Sequence, residues 1–336
     1  MDHQALVKAL NDPSFYDHPV RRVEYLQTHI SSVFLTGDYA YKLKKPVDFG
    51  FLDFTTPAKR RVNCEAEVEL NRRLAPSVYL HVSPINLVDG KPVLDGPGEE
   101  IDSVVVMRQM DNDRLGPEVL ARGELDEAKI DSLIQVLVPF YDEARTGEGI
   151  DHYGTIESVK FNTDENFAQT QPFVGPAITE RQFSETRDRT NSFFEGNEAL
   201  FRRRIDEGRI RESHGDLHLG NIFFETGRPI IFDCIEFNER FRCGDIAVDL
   251  AFLAMDLDFQ GKPALAHRLI EGFIEHSGDD DLRLLLDFYR TYRAYVRGKI
   301  SCFTSSDPAL EESEKEKHLQ MAKRYFSLAH SYAVHL

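Results

Sequence analysis

The chain has 336 residues, a formal net charge of −17, 41% hydrophobic residues and 29% charged residues. This length favours two lobes or two domains, and the composition is that of a globular protein. The acidic balance argues against nucleic acid as a partner, and no apolar run approaches the ~20 residues of a transmembrane helix. The first residues also lack a signal-peptide pattern, so we expect a cytoplasmic protein with no membrane partner.

The acidic charge is concentrated in the second part of the chain. Residues 1–110 carry a net charge of −2, whereas the remainder holds 27 Lys and Arg against 42 Asp and Glu, a net of −15. Such asymmetry is compatible with plain solubility. It also fits a near-neutral first lobe that binds an anionic ligand and an acidic second lobe that need not attract anions.

Short β-type runs dominate the region after residue 30. Residues 1–30 have a helical pattern interrupted by two prolines, and runs 31–35 and 39–43 then flank a Gly-containing turn, which predicts a hairpin. Side chains alternate along a strand, so Ala40, Lys42 and Lys44 are expected on one face. We also expect a buried strand at 104–107, which contains three valines.

A helix is predicted from Ala58 to Ala75, ending before Pro76. Its apolar residues give a buried stripe, which we place at Val62, Ala66, Leu70 and Leu74. Glu67 lies beside this stripe, whereas its two neighbouring glutamates on the helix point towards solvent. The loop-forming residues 111–113 follow the strand at 104–107. We therefore place a boundary near residue 110, giving parts 1–110 and 111–336.

The most informative stretch is His214-Gly215-Asp216-Leu217-His218-Leu219-Gly220-Asn221. Apolar runs 222–224 and 229–232 follow it and flank a four-residue connection with a glycine, which predicts a second hairpin. Folding this hairpin places Asn221, before its first strand, beside Asp233, after its second. Asp216 lies in the loop that leads in.

This arrangement resembles the catalytic loop of the protein-kinase-like superfamily, in which an Asp precedes an Asn by five residues and a strand pair ends in a second Asp. The His-Gly-Asp-Leu-His form is similar to the aminoglycoside phosphotransferase branch of small-molecule kinases. The resemblance implies an α+β, two-lobed fold. It has a small N-lobe of β-sheet plus helix, which binds nucleotide, and a larger, mostly helical C-lobe.

The resemblance also implies roles for individual residues. Asp216 would accept or orient the proton of the substrate hydroxyl, while Asn221 and Asp233 would hold Mg²⁺ on the phosphates of ATP. Lys42 would contact the α- and β-phosphates and pair with Glu67. Further ATP-binding and supporting positions follow from the same resemblance: Gln109 and Met110 at the hinge, Ser31 and Ser32 near the phosphates, and His214 and Asp245 bracing the catalytic loop.

The function implied is ATP- and Mg²⁺-dependent transfer of a phosphoryl group to a hydroxyl of a small molecule. A protein Ser/Thr kinase is disfavoured, because Asp245 follows Asp233 after only 12 positions and leaves no room for an activation segment. A nucleotide-binding regulatory module without turnover is disfavoured by the presence of Asp216, Asn221 and Asp233. The tripeptide at 48–50, Asp-Phe-Gly, precedes the catalytic loop and is interpreted as a turn.

Acidic residues in the loops suggest the charge of the acceptor. These residues are Glu236, Glu239, Asp111 and Asp113. Because like charges repel, they favour a neutral or cationic acceptor such as an amino alcohol or an amino sugar.

Overall fold

The computed structural model describes all residues from Met1 to Leu336. The chain forms two compact units, each made of two segments. The sheet unit comprises Met1–Ala121 and Asn221–Glu239, and the helical unit comprises Arg122–Gly220 and Arg240–Leu336. The α+β class predicted from the sequence is confirmed.

The strands are short, and most of them belong to the sheet unit. They are β1 (Glu24–Gln27), β2 (Ser31–Leu35), β3 (Tyr39–Lys44), β4 (Tyr79–Val88), β5 (Lys91–Leu94), β6 (Glu99–Arg108), β7 (Ile210–Glu212), β8 (Ile222–Phe223), β9 (Ile230–Ile231) and β10 (Cys243–Asp245). The first six form one antiparallel sheet in the order β1-β2-β3-β6-β4-β5. Both predicted hairpins, β2–β3 and β8–β9, are confirmed.

Twelve α-helices complete the chain. They are α1 (His3–Leu10), α2 (Pro57–Asn71), α3 (Gly116–Ala121), α4 (Glu127–Glu143), α5 (Ile156–Thr170), α6 (Glu180–Gly196), α7 (Glu198–Asp206), α8 (Glu239–Arg242), α9 (Ile246–Phe259), α10 (Pro263–Ser277), α11 (Leu282–Ser305) and α12 (Glu312–Ala333). Their hydrophobic stretches are too short or too interrupted by charge for any helix to traverse a bilayer.

The sheet is covered on both faces, and strand alternation decides which residue faces which helix. Val104 and Val106 of β6 pack in a cluster with Leu6 and Leu10 of α1. The intervening Val105 packs instead with residues of α2. On β3 the same alternation sends Ala40, Lys42 and Lys44 towards α2. The two lysines are therefore directed into the sheet unit, towards a helix.

Two of the predicted elements were wrong in part. The helical pattern before residue 30 ends with α1 and a short 3₁₀ turn, and β1 is a strand. The stripe assigned to α2 was also wrong, because Val62 is 63% exposed whereas Cys64 and Val68 are buried. The buried face of α2 is partly polar, since it also contains Glu67 and Asn71. A search for apolar residues at helical spacing therefore selects the wrong face of α2 as the buried one.

The helical unit is built around α9. Almost every residue of this helix from Ile246 to Leu257 is buried, and α11 and α10 pack against it. A cluster of aromatic and small side chains joins α9 to α11, α12 and α6, and includes Phe252, Tyr295 and Phe326. The aromatic side chains of α11 serve mainly in core packing, as its buried Phe288 and Tyr289 show.

Candidate active site

The sheet unit contains a cluster of five charged side chains, which we call the lysine cluster: Lys42, Lys44, Glu67, Asp233 and Glu236. Lys42 Nζ lies 2.8 Å from Glu67 Oε1 and 2.6 Å from Asp233 Oδ1. Lys44 Nζ lies 2.6 Å from the other oxygen of Glu67 and also contacts Glu236 Oε1. Glu67 thus holds one lysine on each carboxylate oxygen.

Contacts among the charged side chains, rather than contact with water, determine the pKa values in the lysine cluster. Burial opposes the charge on Lys42, but Asp233 and Glu67 outweigh it and raise the pKa of Lys42 well above its usual value. Burial likewise opposes ionisation of Glu67, and Lys42 and Lys44 more than offset it, which lowers the pKa of Glu67. Burial raises the pKa of Glu236 despite the opposing effect of Lys44. Lys42, Lys44 and Glu67 are therefore charged at neutral pH.

The hairpin β8–β9 carries both predicted metal ligands. Phe232 N donates to Asn221 O at 3.0 Å, which continues the pairing of Ile222 with Ile231 by one step. Asp233 follows at once, in a left-handed backbone conformation with φ of +61°. Its side chain is 44% exposed, so one oxygen can contact Lys42 while the carboxylate also faces solvent.

Asn221 and Asp233 supply an amide oxygen and a carboxylate, which are the hard oxygen ligands that Mg²⁺ selects. Two protein ligands match the way Mg²⁺ binds with nucleotides, because phosphate oxygens and water complete the coordination. Nowhere in the chain do three or more His, Cys, Asp or Glu residues form a group that could hold a metal without such help. The donor set therefore fits magnesium brought in with a nucleotide.

An apolar cluster lies on the same side of the sheet as the lysine cluster. Ala40 and Met107 are buried in it, and partly buried Val33, Met110 and Phe232 pack against it. Gln109 does not turn its side chain to this cluster: its Oε1 accepts from Gly37 N at 2.8 Å, and its own N–H donates to Asp38 O. Gln109 therefore fixes the turn between β2 and β3.

The two serines predicted near the phosphates are both completely buried. Ser32 Oγ pairs with Tyr25 Oη at 3.2 Å, and Ser31 N donates to Thr28 Oγ1 at 3.0 Å. Because neither side chain reaches the surface, the structure does not support a phosphate contact by Ser31 or Ser32. Both are core residues of β2.

The loop of residues 213–220, which we call the Asp216 loop, lies in the helical unit and is fixed through its backbone. His214 N and Gly215 N donate to the carboxylate of Asp249 at 2.7 and 3.0 Å. Leu219 N donates to Asp256 Oδ2 at 2.9 Å. Two carboxylates of α9 thus hold the loop at both ends.

Asp245 does not make the bracing contact that the resemblance implied. Its side chain accepts from Ala247 N at the start of α9 and pairs with the buried Arg204 at 2.7 and 2.8 Å. Asp249, four residues further along in the first turn of α9, makes the contact instead. The buried His214 is placed as expected, because its Nδ1 accepts from Asp216 N at 3.2 Å.

Asp216 lies among cationic and polar neighbours of its own unit. His218 Nε2 is 3.4 Å from Asp216 Oδ2, and His218 Nδ1 accepts from Gly220 N at 3.0 Å. That second contact leaves the ring proton on Nε2, facing Asp216. Burial opposes ionisation of Asp216, but His218, His214 and Arg293 outweigh it and hold its pKa well below its usual range. Asp216 is therefore a carboxylate throughout the physiological pH range.

His218 was not singled out from the sequence. The signal that could have identified it is its spacing, two residues after Asp216 on a loop rather than on a strand or helix. The segment after Asp233 contains only a short loop, the four-residue α8 and β10 before α9 begins. The tripeptide at 48–50 is a turn, in which Gly50 N donates to Asp48 Oδ1.

Comparisons with known proteins bear on these features. Residues 161–285 match the model of the phosphotransferase enzyme family, whose short name is APH. This region contains the Asp216 loop, the hairpin β8–β9 and α9. The predicted resemblance to the aminoglycoside phosphotransferase-like family is confirmed.

Solved structures of several small-molecule kinases share the fold of this chain. A choline kinase from Cryptosporidium parvum superposes with a TM-score of 0.58 at 9% identity, covering 99% of this chain and 95% of that one. A choline/ethanolamine kinase family protein from Mesorhizobium loti gives 0.55 at 14% identity, covering 98% of both chains. An ADP-bound aminoglycoside phosphotransferase gives 0.53 at 14% identity, covering 97% and 99%. At these identities the likeness establishes the fold.

A relative in sequence is an uncharacterised protein of Mycobacterium tuberculosis. It is 35% identical over 324 residues, which cover 95% of this chain and 63% of that protein. An uncharacterised protein of Mycobacterium bovis matches to the same extent. The chain thus spans less than two thirds of the length of the curated relatives it matches.

Proposed function

We propose that this protein is a small-molecule kinase that uses ATP and Mg²⁺ and transfers the γ-phosphoryl group to a hydroxyl. The family match and the fold support a phosphotransferase acting on a small molecule. The observation that carries the finer proposal is Lys42, whose ammonium lies within 2.8 Å of both Glu67 and Asp233. This arrangement suits a lysine that contacts phosphates beside a metal-binding carboxylate.

In this proposal the nucleotide is bound by residues of the sheet unit. Lys42, aligned by Glu67, contacts the α- and β-phosphates, and the apolar cluster that contains Ala40 and Met110 receives the base. Asn221 and Asp233 hold Mg²⁺, which neutralises charge on the β- and γ-phosphates when bound. Gln109 supports this region through the β2–β3 turn, and Ser31 and Ser32 are not proposed as ligands.

The proposed chemistry needs no covalent intermediate with the protein. The acceptor hydroxyl oxygen forms a bond to the γ-phosphorus, the bond from that phosphorus to the β-phosphate oxygen breaks, and ADP leaves. The hydroxyl proton passes to Asp216. Because the pKa of Asp216 is low, its main contribution is to orient the hydroxyl, and the proton moves late in the reaction.

We further propose a neutral or cationic acceptor and a cytoplasmic location. The net charge of −15 after residue 110 supports this acceptor class. Glu236 contributes nothing to it, because its side chain is 4% exposed and pairs with Lys44. The argument therefore depends on Glu239, Asp111 and Asp113.

The test combines binding with direct product detection. Fluorescence-detected melting with ATP or GTP, with and without Mg²⁺, is followed by a panel of amino alcohols, amino sugars, sugar phosphates and dicarboxylates. We expect stabilisation by MgATP and formation of ADP plus one phosphate ester, seen by phosphorus NMR, with a neutral or cationic acceptor. Preferred turnover of a sugar phosphate would contradict the acceptor class. Absence of both MgATP binding and ADP formation would contradict the kinase assignment.

A further inference from the structure

Lys44 is the second lysine of β3, and the kinase chemistry proposed above assigns it no role. Its side chain is completely buried and touches two carboxylates, those of Glu67 and Glu236. Its ammonium also lies 5.0 Å from the ring centroid of Phe54. Burying a charge is costly, and apolar side chains of similar volume often stabilise a core as well as a buried ion pair does. Stability alone therefore does not explain the pair of Lys44 and Glu236.

Glu236 belongs to the segment 233–238, which we call the Asp233 loop. This loop is attached to the sheet unit at several further points. Asp233 N donates to Tyr79 Oη at 3.2 Å, and Cys234 N donates to Asn71 Oδ1 of α2 at 2.8 Å. Asn238 Nδ2 donates to Phe51 O at 3.0 Å. Two charged pairs also attach this loop to β3, Lys42 with Asp233 and Lys44 with Glu236.

These attachments hold Asp233 in an uncommon backbone conformation. Asp233 has a positive φ, a conformation that costs energy in any residue other than glycine and persists only where the surroundings enforce it. The attachments on both sides of Asp233 supply that enforcement. The Asp233 carboxylate is contacted by Lys42, and the loop that follows Asp233 is anchored to β3 through Glu236 and Lys44.

The numbers of positive and negative groups in the lysine cluster also indicate a role for Lys44 and Glu236. Three carboxylates share two ammonium groups, so without Lys44 both Glu67 and Glu236 would be left to Lys42 alone. Lys42 would then be held more strongly by carboxylates and be less available to phosphate. By occupying the second oxygen of Glu67, Lys44 leaves Lys42 with the first.

We propose that Lys44 and Glu236 are a positioning pair for the nucleotide site. The pair fixes the Asp233 loop on β3 and α2, and so sets the direction of the Asp233 carboxylate and the availability of Lys42. This inference rests on the proposed function, because it concerns the binding of MgATP. Neither residue contacts the nucleotide in this proposal.

The test removes the whole pair, so that no unpaired charge remains. Lys44→Met/Glu236→Leu leaves Glu67 with Lys42 and replaces the ion pair by apolar side chains. The matched control is Arg60→Met/Asp102→Leu, which removes another buried ion pair of the sheet unit, with atoms 2.7 Å apart. Arg60 and Asp102 do not touch Lys42 or Asp233. Melting temperature and MgATP affinity by calorimetry are measured for both.

We expect both double variants to fold, since neither leaves a buried charge unpaired. MgATP affinity should fall at least about tenfold in Lys44→Met/Glu236→Leu, the size of effect expected for a displaced charge-assisted phosphate or metal contact, and stay within about twofold of wild type in the control. The Mg²⁺ concentration for half-saturation should rise in the first variant only. If the double variant does not fold, Glu236→Leu removes the anchor of the loop while Lys44 stays paired with Glu67, and the same fall in MgATP affinity is expected.

Failure of this inference and failure of the proposed function would give different results. If wild type binds MgATP and Lys44→Met/Glu236→Leu binds it as tightly as the control variant, the pair is a structural ion pair only and the inference is wrong. If wild-type protein does not bind MgATP at all, the proposed function is wrong and the positioning role falls with it.

Discussion

The lysine cluster and the Asp216 loop hold Asp233 and Asp216 by different means. In the lysine cluster, side chains hold side chains: Asp233 is paired with Lys42, which is paired with Glu67. In the Asp216 loop, Asp249 and Asp256 bind backbone N–H groups and leave the side chain of Asp216 outside that framework. Removing one charged side chain should therefore alter the contacts of several others in the lysine cluster, whereas in the Asp216 loop the effect should stay near the changed residue.

The largest effect is expected at Asp216. Asp216→Asn removes the proposed proton acceptor but leaves the backbone framework of its loop intact. The turnover rate should fall by about two to four orders of magnitude, while MgATP affinity stays nearly unchanged. Steady-state kinetics with an acceptor from the panel, beside calorimetry, measures both. Asp188→Asn, an exposed change on α6, is the control. Full activity of Asp216→Asn would contradict the proposed mechanism.

The next effect distinguishes Asp245, the residue just before α9, from Asp249 in the first turn of that helix. Asp249→Asn weakens the hold on His214 N and Gly215 N, so we expect the turnover rate to fall by about ten- to a hundredfold. Asp245→Asn breaks a buried pair with Arg204, which should cost about 3–5 kcal/mol of stability. The turnover rate per folded molecule should remain near that of wild type in this second variant. Equal losses of rate in the two variants would show that the loop is not specifically held by Asp249.

The sequence predicted the architecture better than the contacts. Both hairpins and the buried strand β6 follow from local patterns of apolar, β-branched and turn residues. Glu67 was selected for its position beside the predicted stripe; that stripe was misplaced, yet Glu67 does pair with Lys42, because the buried face of α2 is partly polar and includes it. The role given to Asp245 belongs to Asp249, because chain order alone cannot tell which of two aspartates caps a helix and which faces a loop.

Lys44 shows why some of the site could not be predicted. Alternation placed Lys42 and Lys44 on one face, but a lysine on a strand is usually solvated. Its partner Glu236 is 192 positions away, and no local pattern relates the two. Ser31 and Ser32 illustrate the opposite error, since short polar side chains on a strand are easily buried. In each case burial, which depends on tertiary packing, decided the role.

A smaller effect is expected at Lys42, whose removal should change the pairing of several side chains in the lysine cluster. Lys42→Ala leaves Glu67 and Asp233 with one partner fewer, and removes the proposed phosphate contact. MgATP affinity or turnover should fall at least about tenfold. Lys45→Ala, the neighbouring lysine whose ammonium contacts Thr28 O, should change neither. Normal turnover by Lys42→Ala would contradict its assignment.

The smallest effect is a shift in pH dependence at the Asp216 loop. His218 helps to hold the pKa of Asp216 low, so His218→Leu should raise that pKa towards its usual value. The acidic limb of the pH–rate profile should then move to higher pH by about one unit. His218→Gln keeps a donor near Asp216 and should retain more of the wild-type profile. An acidic limb that does not move in His218→Leu would show that His218 does not act on Asp216.

The central claim is that the lysine cluster binds magnesium-bound nucleotide while Asp216 acts on the acceptor. Calorimetric titration of MgATP into wild type, Asp233→Asn and Asp216→Asn tests it most directly. Asp233→Asn replaces the carboxylate that we propose holds Mg²⁺, so Mg²⁺-dependent binding should be lost, whereas Asp216→Asn should bind MgATP like wild type. Equal MgATP affinity in Asp233→Asn and wild type would contradict the account.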